Sequence, residues 1–311
     1  MRSQNAPPGL PRTALTGIDV DCTPRKFGCT ALDLWKMAEY KQRMDISGQV
    51  VVVTGASMGI GEALAAIFAA HGAKVVLTSR DANRSEAARN RIGHAENTLA
   101  LSCDVRNRED IDKVVSLTLH HFGRIDVWIN NSGYGIADSV ELMDMAECRS
   151  MFETNFFGAV SAMQAVIPVM KQQGSGTIIN VSSVAGHIAV PYSAAYSASK
   201  FALNAIGNAA RVELRRTGVH VMTLCPGYVR TNFHLNRVRG KAGMAITPPR
   251  NGGITADRVA RAALQGYLKR KRQVIVPWSN HLFVKFYQLI PGLVEAAMGR
   301  LVKPTKEAVP A

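Results

Sequence analysis

From Ile46 onward, short and nearly unbroken apolar runs alternate with longer segments in which apolar residues recur every three or four positions. "QVVVVTG" at 49–55 has the length and β-branched content of a fully buried strand. "GEALAAIFAAHG" at 61–72 carries the helical period and stops at a glycine. The same alternation continues through "AKVVLTSR", "SEAARNRIGHA", "TLALSCDV", "EDIDKVVSLTLHHFG", "IDVWINNSG", a long helix near 146–172, "GTIINVSS", a helix from Ala194 to Thr217, "VHVMTLCPG" and "QVIVP". Strands that are apolar at every position are buried on both faces. Helices of ten or more residues between them supply the covers, so the pattern predicts an α/β, doubly wound, seven-stranded parallel sheet with helices on both faces.

Outside this region the texture changes. Residues 1–45 form an N-terminal extension that is rich in Pro, Gly and Thr up to about residue 30 and then carries one short amphipathic helix, "ALDLWKMAEYKQRM" at 31–44. The main domain spans 46–277. A basic, amphipathic C-terminal extension occupies 278–311. There Leu282, Phe286, Leu289 and Leu293 share one helical stripe, Phe283, Tyr287, Ile290, Val294 and Leu301 share its neighbour, and Pro291 breaks the run.

Charge sharpens this division. The formal net charge of +14 belongs entirely to the last third: residues 1–200 hold 19 Lys+Arg against 19 Asp+Glu, and residues 201–311 hold 18 against 4. Basic and aromatic residues do not interleave as in a single-strand binder, so nucleic acid is not the expected partner. The C-terminal segment admits two readings: a helical pair that closes the substrate pocket or a subunit interface, as an apolar helical face usually does, or an amphipathic segment that lies against an anionic membrane surface without crossing it. Five cysteines without CxxC spacing argue against a disulfide framework and a structural zinc site, and suit a reducing cytoplasm; no metal is expected. The N-terminus lacks the apolar core of a secretory signal, and no run of ~18 apolar residues predicts a membrane span.

The candidate chemistry begins at "TGASMGIGEALA", the turn between the first strand and the first helix. Gly55, Gly59 and Gly61 let the backbone approach a pyrophosphate, and the helix N-terminus beyond them offers free amides and a positive dipole end. At the end of the second strand the chain reads Ser79, Arg80, Asp81. A cation there pairs with a 2'-phosphate, which favours NADP(H) over NAD(H), although Asp81 beside it pulls the other way. Farther on, Tyr196 and Lys200 stand one helical turn apart, so a phenol and an ammonium share one face.

TGxxxGxG at 54–61, "CDV" at 103–105, "NNSG" at 130–133, "TNFFG" at 154–158, "INVSS" at 179–183, "YSASK" at 196–200 and "PGYVRT" at 226–231 together resemble the short-chain dehydrogenases/reductases, in the right order over about 46–277. The resemblance implies a Rossmann-type fold, a homo-oligomer, and an NADP(H)-dependent enzyme interconverting a carbonyl and an alcohol. In it Tyr196 is the proton donor and Lys200 its partner. Ser183, thirteen residues before the tyrosine, orients the substrate oxygen, and Asn155 binds a relay water. It also implies that Gly55, Ser57, Gly59, Ile60 and Gly61 surround the pyrophosphate, that Asp104 and Val105 contact adenine, that Asn131 braces the adenosine side and that Thr231 reaches the nicotinamide amide. His187, Tyr192, Tyr228 and Phe233 are then expected to line the substrate pocket. Met58 departs from the pattern, since many NADP-preferring members carry a basic residue there, leaving Arg80 to set the preference. Combined with the basic C-terminus, this suits reduction of a lipophilic ketone or aldehyde of steroid, retinoid or long-chain acyl type. The alternative is a non-catalytic NADP(H)-binding regulator or scaffold, which has no need of the Ser183, Tyr196, Lys200 and Asn155 set.

Overall fold

The computed structural model describes residues 45–234, 237–240 and 252–301. Nearly all of the 1–45 extension, with the helix expected at 31–44, lies outside the described residues, as do 235–236, 241–251 and 302–311.

Seven parallel strands form the central sheet: β1 (Val50–Thr54), β2 (Lys74–Ser79), β3 (Thr98–Ser102), β4 (Val127–Asn130), β5 (Gly176–Val181), β6 (Val219–Pro226) and β7 (Gln273–Val276). Their order is β7-β6-β5-β4-β1-β2-β3. The chain runs outward from β1 to β3 and then crosses back to β4 on the other side of β1. That reversal leaves a crevice beyond the carboxyl ends of β1 and β4, the place where open α/β sheets bind ligands.

The helices are α1 (Gly59–Ala70), α2 (Ala82–Ile92), α3 (Arg108–Phe122), α4 (Met145–Phe152), α5 (Gly158–Gln173), α6 (Ala194–Glu213), α7 (Ala256–Leu268), α8 (Trp278–Leu289) and α9 (Pro291–Leu301). Side chains alternate across each strand, so Val51, Val53, Val75 and Leu77 meet Leu64 and Phe68 of α1 and Val259 and Leu264 of α7 on one face. Val52, Val76 and Trp128 meet Ile111 and Val114 of α3 and Val166 and Met170 of α5 on the other. The strands read as continuous apolar runs because both faces are covered.

Two expected elements differ in detail. The helix expected near 146–172 is interrupted by a π-turn at Glu153–Phe157 between α4 and α5, a local widening often found at functional sites. The C-terminal stripe splits where Pro291 opens α9, a first-turn position that needs no backbone N–H. Val284 and Val294 are the buried anchors of this pair, whereas Trp278, Leu282, Phe286, Leu289 and Leu293 face solvent. Among the described residues no helix is long and apolar enough to cross a membrane.

Phe68 has no exposed surface and joins α1 to both β1 and α7. Phe68→Ala is expected to cost about 3–5 kcal/mol, read as a lowered urea midpoint with an unchanged slope.

Candidate active site

The carboxyl ends of β1, β2, β4, β5 and β6 open into a cavity of about 1070 Å³. At its floor the chain turns from β1 into α1 with Gly55 at φ 64° and Gly59 at φ 63°, conformations that side chains rarely adopt. Gly61 is held by proximity: a Cβ there would lie 2.3 Å from the Gly55 carbonyl oxygen and 2.5 Å from Nδ2 of Asn131. Asn131, at the end of β4, fixes the turn by donating to the carbonyls of Thr54 (2.9 Å) and Gly55 (3.0 Å). No side chain caps the N-terminus of α1, so its first amides face the cavity. A backbone cradle of this shape, closed to any Cβ and lined by amides, fits a pyrophosphate.

At the outer end, Arg80 follows β2 and lines the cavity. The Asp81 carboxylate, a competing signal in the sequence, is occupied as the α2 N-cap, accepting from the amides of Asn83 (2.9 Å) and Arg84 (3.3 Å). Arg84 lines the same end and is a second cation that the sequence reading missed; its signal was its place in the first turn after the Asp81 cap. Asp104 and Val105 also line the cavity. The Asp104 carboxylate is held low chiefly by hydrogen bonds from Arg106, whose Nη2 is 2.5 Å away. Val105 packs against Gly158, where a Cβ would fall 2.7 Å from the Val105 carbonyl.

The proposed proton-transfer residues converge at the inner end. Helix α6 carries Tyr196 and Lys200 on one face, with the ammonium 5.8 Å from the phenol ring centroid. Lys200 is 4% exposed, donates to the Val181 carbonyl at 2.9 Å, and is pushed by burial to about 8. Burial raises the Tyr196 phenol, opposed by a hydrogen bond with Ser183 and by the charge of Arg237. Ser183 Oγ also accepts from the Ala185 amide at 3.1 Å. Ser182 turns away and donates to the Lys200 carbonyl at 3.3 Å.

Asn155 sits in the π-turn, 1% exposed. Its side chain is already committed: Oδ1 accepts from the Tyr134 amide at 3.0 Å, and Nδ2 donates to the Tyr134 carbonyl at 2.9 Å and Ser199 Oγ at 3.1 Å. Gly133 permits this packing, since a Cβ there would press on Asn155 Oδ1 at 3.0 Å and lie 3.6 Å from Lys200 Nζ.

Ser57, Ile60, Thr231, Tyr228 and Phe233 line the cavity, and so do Asn280 and Phe283 of α8. His187 and Tyr192 do not. The His187 Nε2 accepts from Gln273 at 2.8 Å and from Asn204 at 3.4 Å, and lies 3.5 Å from Cys225 Sγ. Burial, and then the charge of Lys285, lowers its pKa. Tyr192, at φ 56°, belongs to a turn whose carbonyl accepts from the Asp138 amide at 3.0 Å.

The sequence model of the family described as short chain dehydrogenase matches residues 49–241, most of the chain. The chain belongs to that family. As a short-chain dehydrogenase it is an oxidoreductase. It is 34% identical over 245 residues to dehydrogenase/reductase SDR family member 7B of Danio rerio, covering 76% of this chain and 79% of that one. Among solved structures, it is 27% identical, with a TM-score of 0.67, to the 3-ketoacyl-(acyl-carrier-protein) reductase of Brucella melitensis complexed with NADH, covering 74% of this chain and 97% of that one. A short chain dehydrogenase/reductase of Burkholderia phymatum in complex with NAD, 23% identical, shares the fold at a TM-score of 0.72 over 86% and 99% of the two chains.

The buried lysine of this short-chain dehydrogenase has a thermodynamic consequence. Its value of about 8 in the fold lies below the ordinary 10.5, so the ammonium opposes folding below pH 8 and this opposition fades as pH climbs to 10.5. Cofactor-free Lys200→Met protein is therefore expected to melt above wild type at pH 7, with the gap narrowing between pH 8 and 10.5. Thermal unfolding across that range checks it; a pH-independent gap would contradict the burial of the charge.

Proposed function

We propose that the protein is an NADP(H)-dependent oxidoreductase that interconverts a carbonyl and an alcohol, with reduction as the working direction. The observation that carries the reading is the meeting of Ser183, Tyr196 and Lys200 with the Gly55–Gly61 cradle in a single cavity. When bound, the nicotinamide supplies or accepts the hydride. In reduction, Ser183 Oγ and the Tyr196 hydroxyl hold the substrate oxygen and Tyr196 gives it a proton. Lys200 Nζ binds the nicotinamide ribose hydroxyls and, with Arg237 nearby, adds the positive field that makes phenolate accessible. Asn155, whose side chain braces Tyr134 and Ser199, is assigned the water that relays protons between Lys200 and solvent. Gly55, Ser57, Gly59, Ile60 and Gly61 take the pyrophosphate, Asp104 and Val105 the adenine, and Thr231 the nicotinamide amide; Asn131 braces the cradle. A regulator that only binds the cofactor would have no use for the serine, tyrosine and lysine together.

Tyr196→Phe is expected to lower kcat by more than about a hundredfold, because the proton is lost while the ring is kept. Cofactor affinity should barely change. A variant that retains more than about a hundredth of wild-type kcat removes Tyr196 from the role of acid.

The cofactor choice rests on Arg80 and Arg84, with one oxygen of Asp81 taken by the α2 cap and the other 3.5 Å from Arg84. Arg80→Asp should shift the ratio of kcat/KM for NADPH over NADH downward by about tenfold or more. An unchanged ratio means that Arg80 points to solvent.

An anionic membrane surface is the partner that the C-terminal helices fit, alongside assembly as a homo-oligomer. Trp278, Leu282, Phe286, Leu289 and Leu293 are 44–80% exposed, an apolar band that few surfaces leave open to water. Lys285 and Arg300 flank it, and Lys269, Arg270, Lys271 and Arg272 precede β7. Phe283 belongs both to this exposed helix and to the cavity wall, which suits an apolar substrate arriving from the bilayer. Phosphatidylserine vesicles should bind the protein in a salt-sensitive manner. Leu282→Ser, Phe286→Ser and Leu289→Ser together should abolish that binding while the fold survives; wild type that ignores the vesicles ends the membrane reading.

A further inference from the structure

Among the described residues four arginines line the cavity, and three are accounted for at its adenosine end: Arg106 pairs with Asp104, Arg84 lies 3.5 Å from Asp81, and Arg80 stands at the end of β2. The fourth, Arg237, is at the opposite end, beside the reacting groups. Its guanidinium carbon is 5.8 Å from the Phe233 ring centroid, and that ring is 5.7 Å from the ring of Tyr196. On its other side the stem lies against Gly135, where a Cβ would fall 3.6 Å from its Cγ and Nε.

No carboxylate among the described residues answers this charge. Among the described residues Arg237 forms no ion pair within 4 Å, and its electrostatic partners are the phenols of Tyr196 and Tyr228. The segment that follows, "KAGMAITPPRN" at 241–251, contains no Asp or Glu. Arg237 is half-buried, and burial lowers its pKa. Withdrawing a guanidinium from water without a counter-ion is unfavourable, and such a group persists where a ligand completes it. Val190, Phe233, Val238 and Phe283 also line the cavity, and the other inner-end cation, Lys200, already donates to the Val181 carbonyl, which leaves Arg237 to orient an anion that enters.

We infer that Arg237 is a substrate-binding residue that receives a carboxylate-class anion on the substrate, one aromatic ring away from the carbonyl held by Tyr196 and Ser183. The planar fork of a guanidinium matches a carboxylate bidentately. The inference rests on the carbonyl–alcohol reading and narrows it: the substrate is an oxo acid with an apolar body, held by its carbonyl at one point and by its acid at another.

The test uses pairs that differ only in the anion: 4-formylbenzoate with its methyl ester, and 3-oxodecanoate with its methyl ester, each assayed with NADPH. Wild type is expected to favour the acid in at least one pair by about tenfold or more in kcat/KM, expressed mainly in KM. Arg237→Gln should bring the ratio of acid to ester close to one, Arg237→Lys should retain part of it and Arg237→Glu should invert it. Equal use of acid and ester by wild type in both pairs overturns the inference while leaving the carbonyl–alcohol reading intact. So does an equal loss on acid and ester with a raised KM for NADPH, which would put Arg237 on the cofactor. If wild type reduces none of the four, the reaction reading fails, and calorimetry still decides the anion site: 4-hydroxymethylbenzoate should bind NADP-loaded wild type and not the Arg237→Gln protein, and absence of binding to wild type overturns the inference.

Discussion

The contact on which the site depends is the one between the ends of β1 and β4. Asn131 reaches across to the Thr54 and Gly55 carbonyls, Thr54 Oγ1 accepts from the amides of Asn131 (3.0 Å) and Ser132 (3.2 Å), and Gly61 closes against Gly55 with no room for a side chain. Each of these bonds satisfies a backbone group that the strand end would otherwise leave open. Together they aim the first amides of α1 into the crevice made by the reversal of strand order. A looser turn would still be a turn, but its amides would not converge.

The cavity separates its charges by task. At the adenosine end, cations are exposed or paired, so they remain charged at little cost and can meet a phosphate. At the inner end, Lys200 and Arg237 are withdrawn from water without a carboxylate partner among the described residues, and burial lowers both. The fold tolerates this because the core beneath is extensive: α1 and α7 cover one face of the sheet, and α3 and α5 the other. Stability gathered there offsets groups held at the site in a form that would not be chosen for stability alone.

The C-terminal helices follow a different logic. Val284 and Val294 pin α8 and α9, while most of their large apolar side chains stay exposed. Periodicity in the sequence correctly marked a helical pair with a broad apolar surface and a break at Pro291. It did not mark Val284, which lies on neither stripe yet anchors α8, because the face that meets the protein is chosen by the neighbouring wall and not by apolar spacing alone.

By itself the sequence determined the alternation of strands and helices, the parallel sheet, the glycine turn, the shared face of Tyr196 and Lys200, and the family. All of these are carried by local periodicity or by short motifs whose spacing is fixed within a few residues. What only tertiary structure decided lies between distant segments. Asp81 and Arg80 are neighbours in sequence and both line the cavity, yet one oxygen of the carboxylate is taken by the α2 cap and the other lies 3.5 Å from Arg84. His187 carries no mark separating it from a pocket residue, and the fold turns it toward Gln273 and Cys225 instead. Arg237 is one of many basic residues in the last third of the chain; its place beside Phe233 and Tyr196, without an acid, depends on where a loop of no regular pattern comes to rest. Side-chain direction and electrostatic isolation are properties of three-dimensional neighbours, and a one-dimensional pattern does not specify who those neighbours are.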